Sequence, residues 1–261
     1  MTYIEGRDLF RSQLKVFFEI NEIDFYYKMI LNFFFKIEPT TLALEPKTLF
    51  LPAKVKIIKA VLKRLLNEEP LQYILGTTSF RSLELQVTPA VLIPRPETEE
   101  LVEWILEDYK SIEHKHVVID IGTGSGCIAI SLAKDQPFFN VSALDISSKA
   151  LEIAKSNAIE NKTVINFLQA DITVLSSEIF PIDVIVSNPP YIHPREKKEM
   201  KNNVLNNEPH IALFVPEEDP LLFYRRILEY AQKNLLPDGV VYFEITHYYL
   251  TEMKNLIFSI T

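Results

Sequence analysis

The segment VVIDIGTGSGCIAI spans residues 117–130 and indicates the fold of this chain. It begins with an apolar run typical of a buried strand, passes through Gly122, Gly124 and Gly126, and ends in an apolar stretch suited to a helix. Three of the six glycines in the chain lie in this turn. A plain strand-to-helix turn would leave two of them unexplained, so we expect a tight backbone turn that lets a ligand approach a helix N-terminus.

Strands and helices alternate from this segment to the end of the chain, which predicts a doubly wound, mainly parallel sheet. The expected strands are 117–121, 141–144, 164–168, 182–187 and 240–245, and the expected helices begin near 98 and lie near 126–134, 148–160 and 220–235. Ligands bind at the carboxyl edge of such a sheet.

Residues 1–75 show a helical pattern, with apolar side chains three and four positions apart, and predict a small helical bundle. Aromatic clusters such as Phe33-Phe34-Phe35 are interpreted as its core. Residues 76–96 contain Gly76, a short apolar alternation and three prolines, which predict a hairpin that connects the bundle to an α/β domain at 97–261.

The 261 residues are 48% hydrophobic, enough for one large and one small core. No apolar stretch approaches the roughly 20 residues that span a bilayer, and the start of the chain lacks a signal peptide's basic-then-apolar order. A single cysteine, Cys127, fits a reducing compartment. These features predict a cytoplasmic protein with no membrane partner.

The net charge of −8 is unevenly distributed along the chain. Residues 1–75 contain 11 Lys/Arg and 9 Asp/Glu, while residues 76–261 contain 16 and 26, so the two parts carry +2 and −10. An acidic α/β domain is a poor electrostatic match for phosphates, which disfavours direct nucleic-acid binding.

The tetrapeptide Asn188-Pro189-Pro190-Tyr191 follows the apolar run 184–186. Proline cannot donate to a sheet and fixes its own backbone, so the chain must leave the sheet in a stiff turn. The side-chain carbonyl of Asn188 and the main-chain carbonyl of Pro189 could accept hydrogen bonds from a planar NH₂ group, with Tyr191 on its flat face. We predict that Asn188, Pro189 and Tyr191 are catalytic and that these residues and Pro190 bind the substrate.

The glycine spacing is G-x-G-x-G rather than G-x-G-x-x-G, which disfavours NAD. Asp145 ends the second strand, where a carboxylate can accept hydrogen bonds from ribose hydroxyls, although it could instead cap the helix that begins near Ser147. Asp171, after the third strand, is a weaker analogue or a turn residue. A nucleoside site beside Asn-Pro-Pro-Tyr suits methyl transfer from S-adenosylmethionine to an amino or amide nitrogen.

This reaction moves positive charge from sulfur to nitrogen without creating net charge, so it requires no strongly shifted acid or base. The five histidines lack the spacing of metal ligands, and no metal is expected.

Several motifs together resemble the PrmC/HemK family of peptide-chain release factor glutamine methyltransferases. They are EPLQYILG at 69–76, VLIPRPETEELV at 91–102, DIGTGSG at 120–126, NPPYI at 188–192, and EP at 208–209 with ALF at 212–214. The resemblance covers about residues 65–245. The run IPRPETE is far more specific than NPPY, which DNA amino-methyltransferases share.

The resemblance implies a class I S-adenosylmethionine-dependent methyltransferase fold at 97–261, preceded by a helical domain at 1–75 that docks the release factor. The methyl group would go to the side-chain amide nitrogen of the glutamine in the release factor's GGQ motif, with S-adenosylhomocysteine as product. Ile172 would lie beside the adenine, where the family often has an aromatic residue. The cofactor-binding residues would be Gly122, Thr123, Gly124, Ser125, Gly126, Asp145, Asp171, Ile172 and Asn188.

The chain ends at Thr261, whereas the family's fold normally continues into two more strands. We therefore expect a C-terminally shortened sheet with an unprotected apolar edge at 240–245, and either lower stability or an edge masked by a partner.

Two other functions fit the motifs. One is an amino-methyltransferase acting on adenine or cytosine of nucleic acid, which the charge and the IPRPETE run disfavour. The other is a non-catalytic S-adenosylmethionine-binding protein that retains the cavity without turnover.

Overall fold

The computed structural model describes residues 1–175 and 181–260, and the chain forms two compact units. The first comprises Met1–Gly76 and Asn202–Asn207, and the second comprises Thr77–Lys201 and Glu208–Thr261. This differs from the predicted division in two places, because residues 202–207 belong to the first unit and the expected connector from Thr77 onward belongs to the second.

The first unit is a bundle built mainly of α1, α2 and α4. Its helices are α1 Tyr3–Leu14, α2 Ile20–Phe35, α3 Pro39–Leu44, α4 Pro52–Leu66 and α5 Leu71–Leu75. Helix α1 begins with a capping box, in which the Thr2 hydroxyl accepts from the Glu5 amide and the Glu5 carboxylate accepts from the Thr2 amide. The buried rings of Phe10 and Tyr27 meet edge to face, with centroids 5.2 Å apart. These contacts confirm the predicted N-terminal helical bundle.

The aromatic run in α2 is only partly core. Phe33 and Phe35 pack against the buried cluster, whereas Phe34 is 37% exposed. Successive residues of a helix point about 100° apart, so three in a row cannot all face one core.

The second unit begins with an antiparallel hairpin of β1 Thr77–Phe80 and β2 Leu83–Gln86. Phe80, Leu83 and Leu85 are buried in the main hydrophobic core of this unit. The predicted hairpin is therefore present, and it packs into the core of the α/β unit.

Five parallel strands form the main sheet in the order β5-β4-β3-β6-β7. They are β3 His116–Ile121, β4 Phe139–Asp145, β5 Asn166–Gln169, β6 Ile182–Ser187 and β7 Leu235–Phe243. The remaining helices are α6 Pro96–Asp108, α7 Cys127–Asp135, α8 Ser148–Glu160, α9 Asn202–Asn207 of the first unit, α10 His210–Leu213, α11 Leu222–Asn234 and α12 Leu250–Ile260. This arrangement confirms the predicted Rossmann-like parallel sheet. Central β3 has β4 on one side and β6 on the other, so a crevice opens at their carboxyl ends.

Strand β7 begins five residues earlier than the predicted 240, because a bulge extends it. Ile182 pairs with Leu235 and Val184 with Val240, so the ladder shifts register between them. Pro237 lies in the bulge, where its missing amide proton costs no ladder hydrogen bond.

Strand β7 also lies at the edge of the sheet. Helix α6 packs on one face of β7, since Trp104 meets Tyr242 edge to face at 5.4 Å and the Tyr242 hydroxyl donates to Asp108 at 2.7 Å. Val240 remains 38% exposed. Lower stability, or masking of this edge by a partner, stays a prediction. No helix within the described ranges is long and apolar enough to cross a bilayer.

Candidate active site

A cavity of about 260 Å³ opens in the second unit at the carboxyl ends of β3, β4 and β6. Its wall includes predicted site residues from four separate stretches of sequence, namely Gly122, Gly124, Asp145, Asp171, Ile172, Asn188, Pro189 and Pro190. The fold therefore brings the expected nucleoside residues and the Asn-Pro-Pro turn to one space.

The glycine loop forms one side of the cavity. Gly122 and Gly124 have φ angles of +77° and +54°, and a Cβ on either would meet no atom within 4 Å. The amides of Gly122 and Thr123 both donate to the carbonyl of Leu144, at 2.8 and 3.0 Å, which ties the loop to β4. The loop thus presents bare backbone to open space.

The other loop residues are turned away from that space. Thr123 is buried and donates its hydroxyl to Asp120 Oδ2 at 2.6 Å. The carbonyl of buried Ser125 accepts from Asn157 Nδ2 at 2.9 Å, and Gly126 packs against Ile130 and Ala154. These three predicted cofactor residues hold the loop in shape in this structure, and their direct contact with a ligand stays a prediction.

Asp145 lies at the cavity and also holds the neighbouring backbone, and its contact with ribose hydroxyls stays a prediction. Its Oδ2 accepts from the Gly124 amide and its Oδ1 from the Ser147 amide, both at 2.9 Å, while its side chain lines the cavity. Burial raises its pKa, against these backbone hydrogen bonds. The cap of helix α8 is Ser147 itself, whose hydroxyl accepts from the Ala150 amide.

Asp171 and Ile172 follow β5 and also face the cavity. The carboxylate of Asp171 accepts from the amide and the hydroxyl of Thr173, at 2.8 and 2.7 Å, so it stabilises a turn as well. Ile172 adds an apolar surface to the wall.

The Asn-Pro-Pro turn forms another part of the cavity wall. Ser187 precedes it and donates its hydroxyl to the carbonyl of Ile121 at 2.6 Å, which fixes the end of β6 to β3. Asn188 Nδ2 donates to Thr98 Oγ1 at 3.1 Å, and Thr98 donates to Glu244 Oε2 at 2.7 Å.

Tyr191 does not belong to the cavity wall in the part of the chain that the structure describes. It is partly buried against the cluster of Tyr224, Leu228 and Met253, and burial raises the pKa of its hydroxyl. Its predicted contact with a substrate stays a prediction.

Comparison with known proteins identifies the family. A release factor glutamine methyltransferase of Flavobacterium psychrophilum is 45% identical over 253 residues, which is 96% of this chain and 89% of that protein. The chain belongs to the release factor glutamine methyltransferase family.

Other similarities agree with this assignment. A release factor glutamine methyltransferase of Bacteroides thetaiotaomicron is 46% identical over 78% of this chain and 73% of its own length. Residues 98–211 match the family model of the methyltransferase small domain, and residues 10–76 match that of the PrmC N-terminal domain. The resemblance found in the motifs is confirmed, and the chain is an S-adenosylmethionine-dependent methyltransferase of this family.

One residue that sequence reasoning missed lies below the glycine loop of this methyltransferase. Asp120 is fully buried and its Oδ1 makes no hydrogen bond with the described residues. Burial raises its pKa to about 7, although the Thr123 hydroxyl donates to it. The sequence did contain a signal for this buried carboxyl, because Asp120 is an acidic residue inside the apolar strand that leads into the glycine loop.

Asp120 predicts a pH-dependent stability. A carboxyl with a raised folded-state pKa stabilises the protein at low pH, and this contribution is lost between its unfolded value near 3.8 and about 7. Asp120→Asn keeps an acceptor for Thr123 but cannot ionise. We therefore expect its unfolding free energy, relative to the wild type, to rise by about 2 kcal/mol from pH 5 to pH 8. Urea unfolding at several pH values checks this, and a difference that does not change with pH would contradict it.

A second unforeseen contact joins two walls of the cavity. Glu208, whose side chain is 1% exposed, pairs with Arg95 Nη2 at 2.6 Å and accepts from the Ile93 amide at 3.2 Å. The neighbouring Leu92 and Pro209 line the cavity. The sequence contained both residues in its family motifs but gave no sign that they meet.

Arg95→Met should destabilise the second unit because it leaves the Glu208 carboxylate buried without its cation. We expect a loss of about 2 kcal/mol in unfolding free energy, measured by urea denaturation. The matched control is Arg226→Met, whose partner Glu229 is exposed, and we expect a change below about 0.5 kcal/mol there. Equal effects of the two substitutions would contradict a structural role for the Arg95–Glu208 pair.

Proposed function

We propose that this chain transfers a methyl group from S-adenosylmethionine to the side-chain amide nitrogen of the GGQ glutamine in peptide-chain release factors. The observation that carries the proposal is the single cavity shared by the glycine loop and the Asn188-Pro189-Pro190 turn. The membership in the release factor glutamine methyltransferase family supports the choice of substrate.

The residues around the cavity fit the cofactor. The open space above Gly122 and Gly124 can take a ligand that touches the backbone, and the Asp145 carboxylate can accept hydrogen bonds from ribose hydroxyls. Ile146, Ala150 and Ile172 offer apolar surface for a purine ring. When bound, S-adenosylmethionine supplies an electrophilic methyl group and becomes S-adenosylhomocysteine.

The Asn-Pro-Pro turn would orient the substrate amide. Asn188 Oδ1 and the Pro189 carbonyl accept one amide proton each, which holds the nitrogen in place and directs its lone pair toward the methyl group. The nitrogen would gain the methyl group as the S–CH₃ bond breaks and would release one of its two protons to solvent water, and correct positioning would account for most of the rate gain. Tyr191 completes the proposed catalytic set on the flat face of the amide.

No metal is assigned to this reaction. Within the described ranges no group of three or more His, Cys, Asp or Glu residues is placed to hold a metal ion.

Release factors work at the ribosome, so we propose the cytoplasm as the location of this protein. We also propose that the first unit is the part of the chain that docks the release factor.

Mass spectrometry of a purified release factor tests this function. After incubation with the protein and S-adenosylmethionine, we expect one added methyl group on the GGQ glutamine. A matched release factor with Gln replaced by Asn in that motif should gain none. Methylation of DNA in a parallel assay, with an unmodified release factor, would overturn the proposal in favour of an adenine or cytosine substrate. Cofactor binding without transfer to any substrate would favour a non-catalytic protein.

A further inference from the structure

Three residues from different elements meet behind the Asn-Pro-Pro turn. Thr98 lies in the first turn of α6, Asn188 follows β6, and Glu244 follows β7. Asn188 Nδ2 lies 3.1 Å from Thr98 Oγ1, which lies 2.7 Å from Glu244 Oε2. Thr98 is only 2% exposed, so water does not compete freely for its hydroxyl.

The direction of these hydrogen bonds follows from the number of protons available. A threonine hydroxyl has one proton to donate, and the neighbouring carboxylate can only accept. Thr98 therefore donates to Glu244 and must accept from Asn188. The atom of Asn188 that faces Thr98 is consequently the NH₂ group, which leaves Oδ1 available on the other side of the amide.

The partners of Asn188 are themselves held firmly. The Glu244 amide donates to the Ser187 carbonyl at 3.1 Å, and the Tyr224 hydroxyl donates to the Glu244 carbonyl at 3.0 Å. Burial raises the pKa of the Glu244 carboxyl, as does the nearby charge of Glu97, while the hydrogen bond from Thr98, the nearby Asn188 amide and the charge of Arg95 lower it. The backbone of Glu244 is thus tied to the end of β6, directly before Asn188.

An asparagine amide has nearly the same shape in its two flipped orientations, so packing alone selects weakly between them. Only one of the two presents an acceptor to a substrate NH₂ group. We propose that Thr98 and Glu244 are positioning residues that fix the Asn188 amide with Oδ1 available to the substrate. This inference rests on the proposed function, because that function requires an acceptor at this atom.

The first test compares variants of Thr98 in the release factor assay. Thr98→Val keeps the shape and removes the hydroxyl, and we expect kcat to fall on the order of tenfold with the Kd for S-adenosylmethionine within about twofold of wild type. Thr98→Ser restores the hydroxyl and should recover most of kcat. The matched control, Thr251→Val at an exposed position of α12, should leave kcat unchanged. A Thr98→Val enzyme with wild-type kcat, or no recovery in Thr98→Ser, would overturn the proposal.

A double-mutant cycle separates this role from general damage to the fold. If Thr98 and Glu244 act through the same amide, Thr98→Val combined with Glu244→Ala should lower kcat little more than either change alone. If the fold-losses in kcat of the two single variants multiply in the double variant, the two residues act independently and the proposal is overturned.

A spectroscopic measurement keeps the test independent of the substrate. In a protein labelled with ¹⁵N-asparagine, the side-chain NH₂ signals of Asn188 are those missing from Asn188→Ala. We expect slow exchange of these protons with solvent in the wild type and faster exchange in Thr98→Val. If the wild type fails to methylate the release factor, the proposed function is wrong, whereas unchanged exchange in Thr98→Val shows that the positioning role is wrong.

Discussion

Asn188→Ala is expected to lower kcat for methyl transfer to the release factor on the order of a thousandfold. The substitution removes an acceptor that would hold the substrate amide, and a small displacement of a reacting nitrogen has a large effect on rate. Asn188 lines the cavity but is not the main support of the glycine loop, which is tied to β4 and Asp145. The affinity for S-adenosylmethionine should therefore weaken by less than about tenfold.

Steady-state kinetics with the release factor and calorimetry with the cofactor measure these two quantities separately. Asn255→Ala, at an exposed position of α12, is the matched control and should match the wild type in both. Asn188→Asp adds a sharper test, because it replaces the NH₂ group that faces Thr98 by an oxygen and places a second carboxylate near Glu244. We expect it to be nearly as inactive as Asn188→Ala. Wild-type activity in either Asn188 variant would contradict the assigned role.

Two nearby glycines should respond differently to alanine, one mainly by weaker cofactor binding and the other mainly by lower stability. A Cβ on Gly124 would meet no protein atom within 4 Å, and its φ of +54° lies in the left-handed region. Gly124→Ala should therefore cost only about 1 kcal/mol of stability. Its methyl group would occupy space beside the cavity, so the affinity for S-adenosylmethionine should fall on the order of a hundredfold.

Gly126→Ala should instead damage the fold. Its φ is +84°, and a Cβ there would lie 2.9 Å from Ile130 Cδ1 and 3.2 Å from Ala154 Cβ, inside the packing between α7 and α8. Backbone strain and overpacking together should destabilise the protein by about 3 kcal/mol. Calorimetric melting and cofactor titration of both variants distinguish the two effects. Equal losses of stability in the two variants would contradict the different roles assigned to these glycines.

The sequence was sufficient for the features that depend on local physics. Buried parallel strands require continuous apolar runs, so β3 and β6 were predicted within one residue of their observed ends. The glycines at 122, 124 and 126 adopt the positive φ angles that only glycine takes readily. Two prolines after a strand forced the chain out of the sheet, which located the Asn-Pro-Pro turn correctly at the carboxyl edge.

The sequence was least informative where a residue's role depends on distant partners. The motif placed Tyr191 at the predicted substrate site, and only the structure shows that it also packs against Tyr224, Leu228 and Met253. Its contact with a substrate stays a prediction. Thr123 and Ser125 lie within the glycine loop, yet neither belongs to the cavity wall. Side-chain direction at these positions depends on packing between elements that are far apart in the chain.

The amino-acid sequence by itself determined the parallel sheet, the helical bundle and the glycine loop, because strand and helix periodicity and turn residues act over a few neighbouring positions. Its motifs indicated the family of the enzyme through their resemblance to known proteins. The tertiary structure alone decided that Thr98 and Glu244 meet Asn188, that Glu208 pairs with Arg95, and that Asp120 is buried. Hydrogen bonds and desolvation act over a few ångströms in space, and only the folded chain brings residues more than 100 positions apart within that distance.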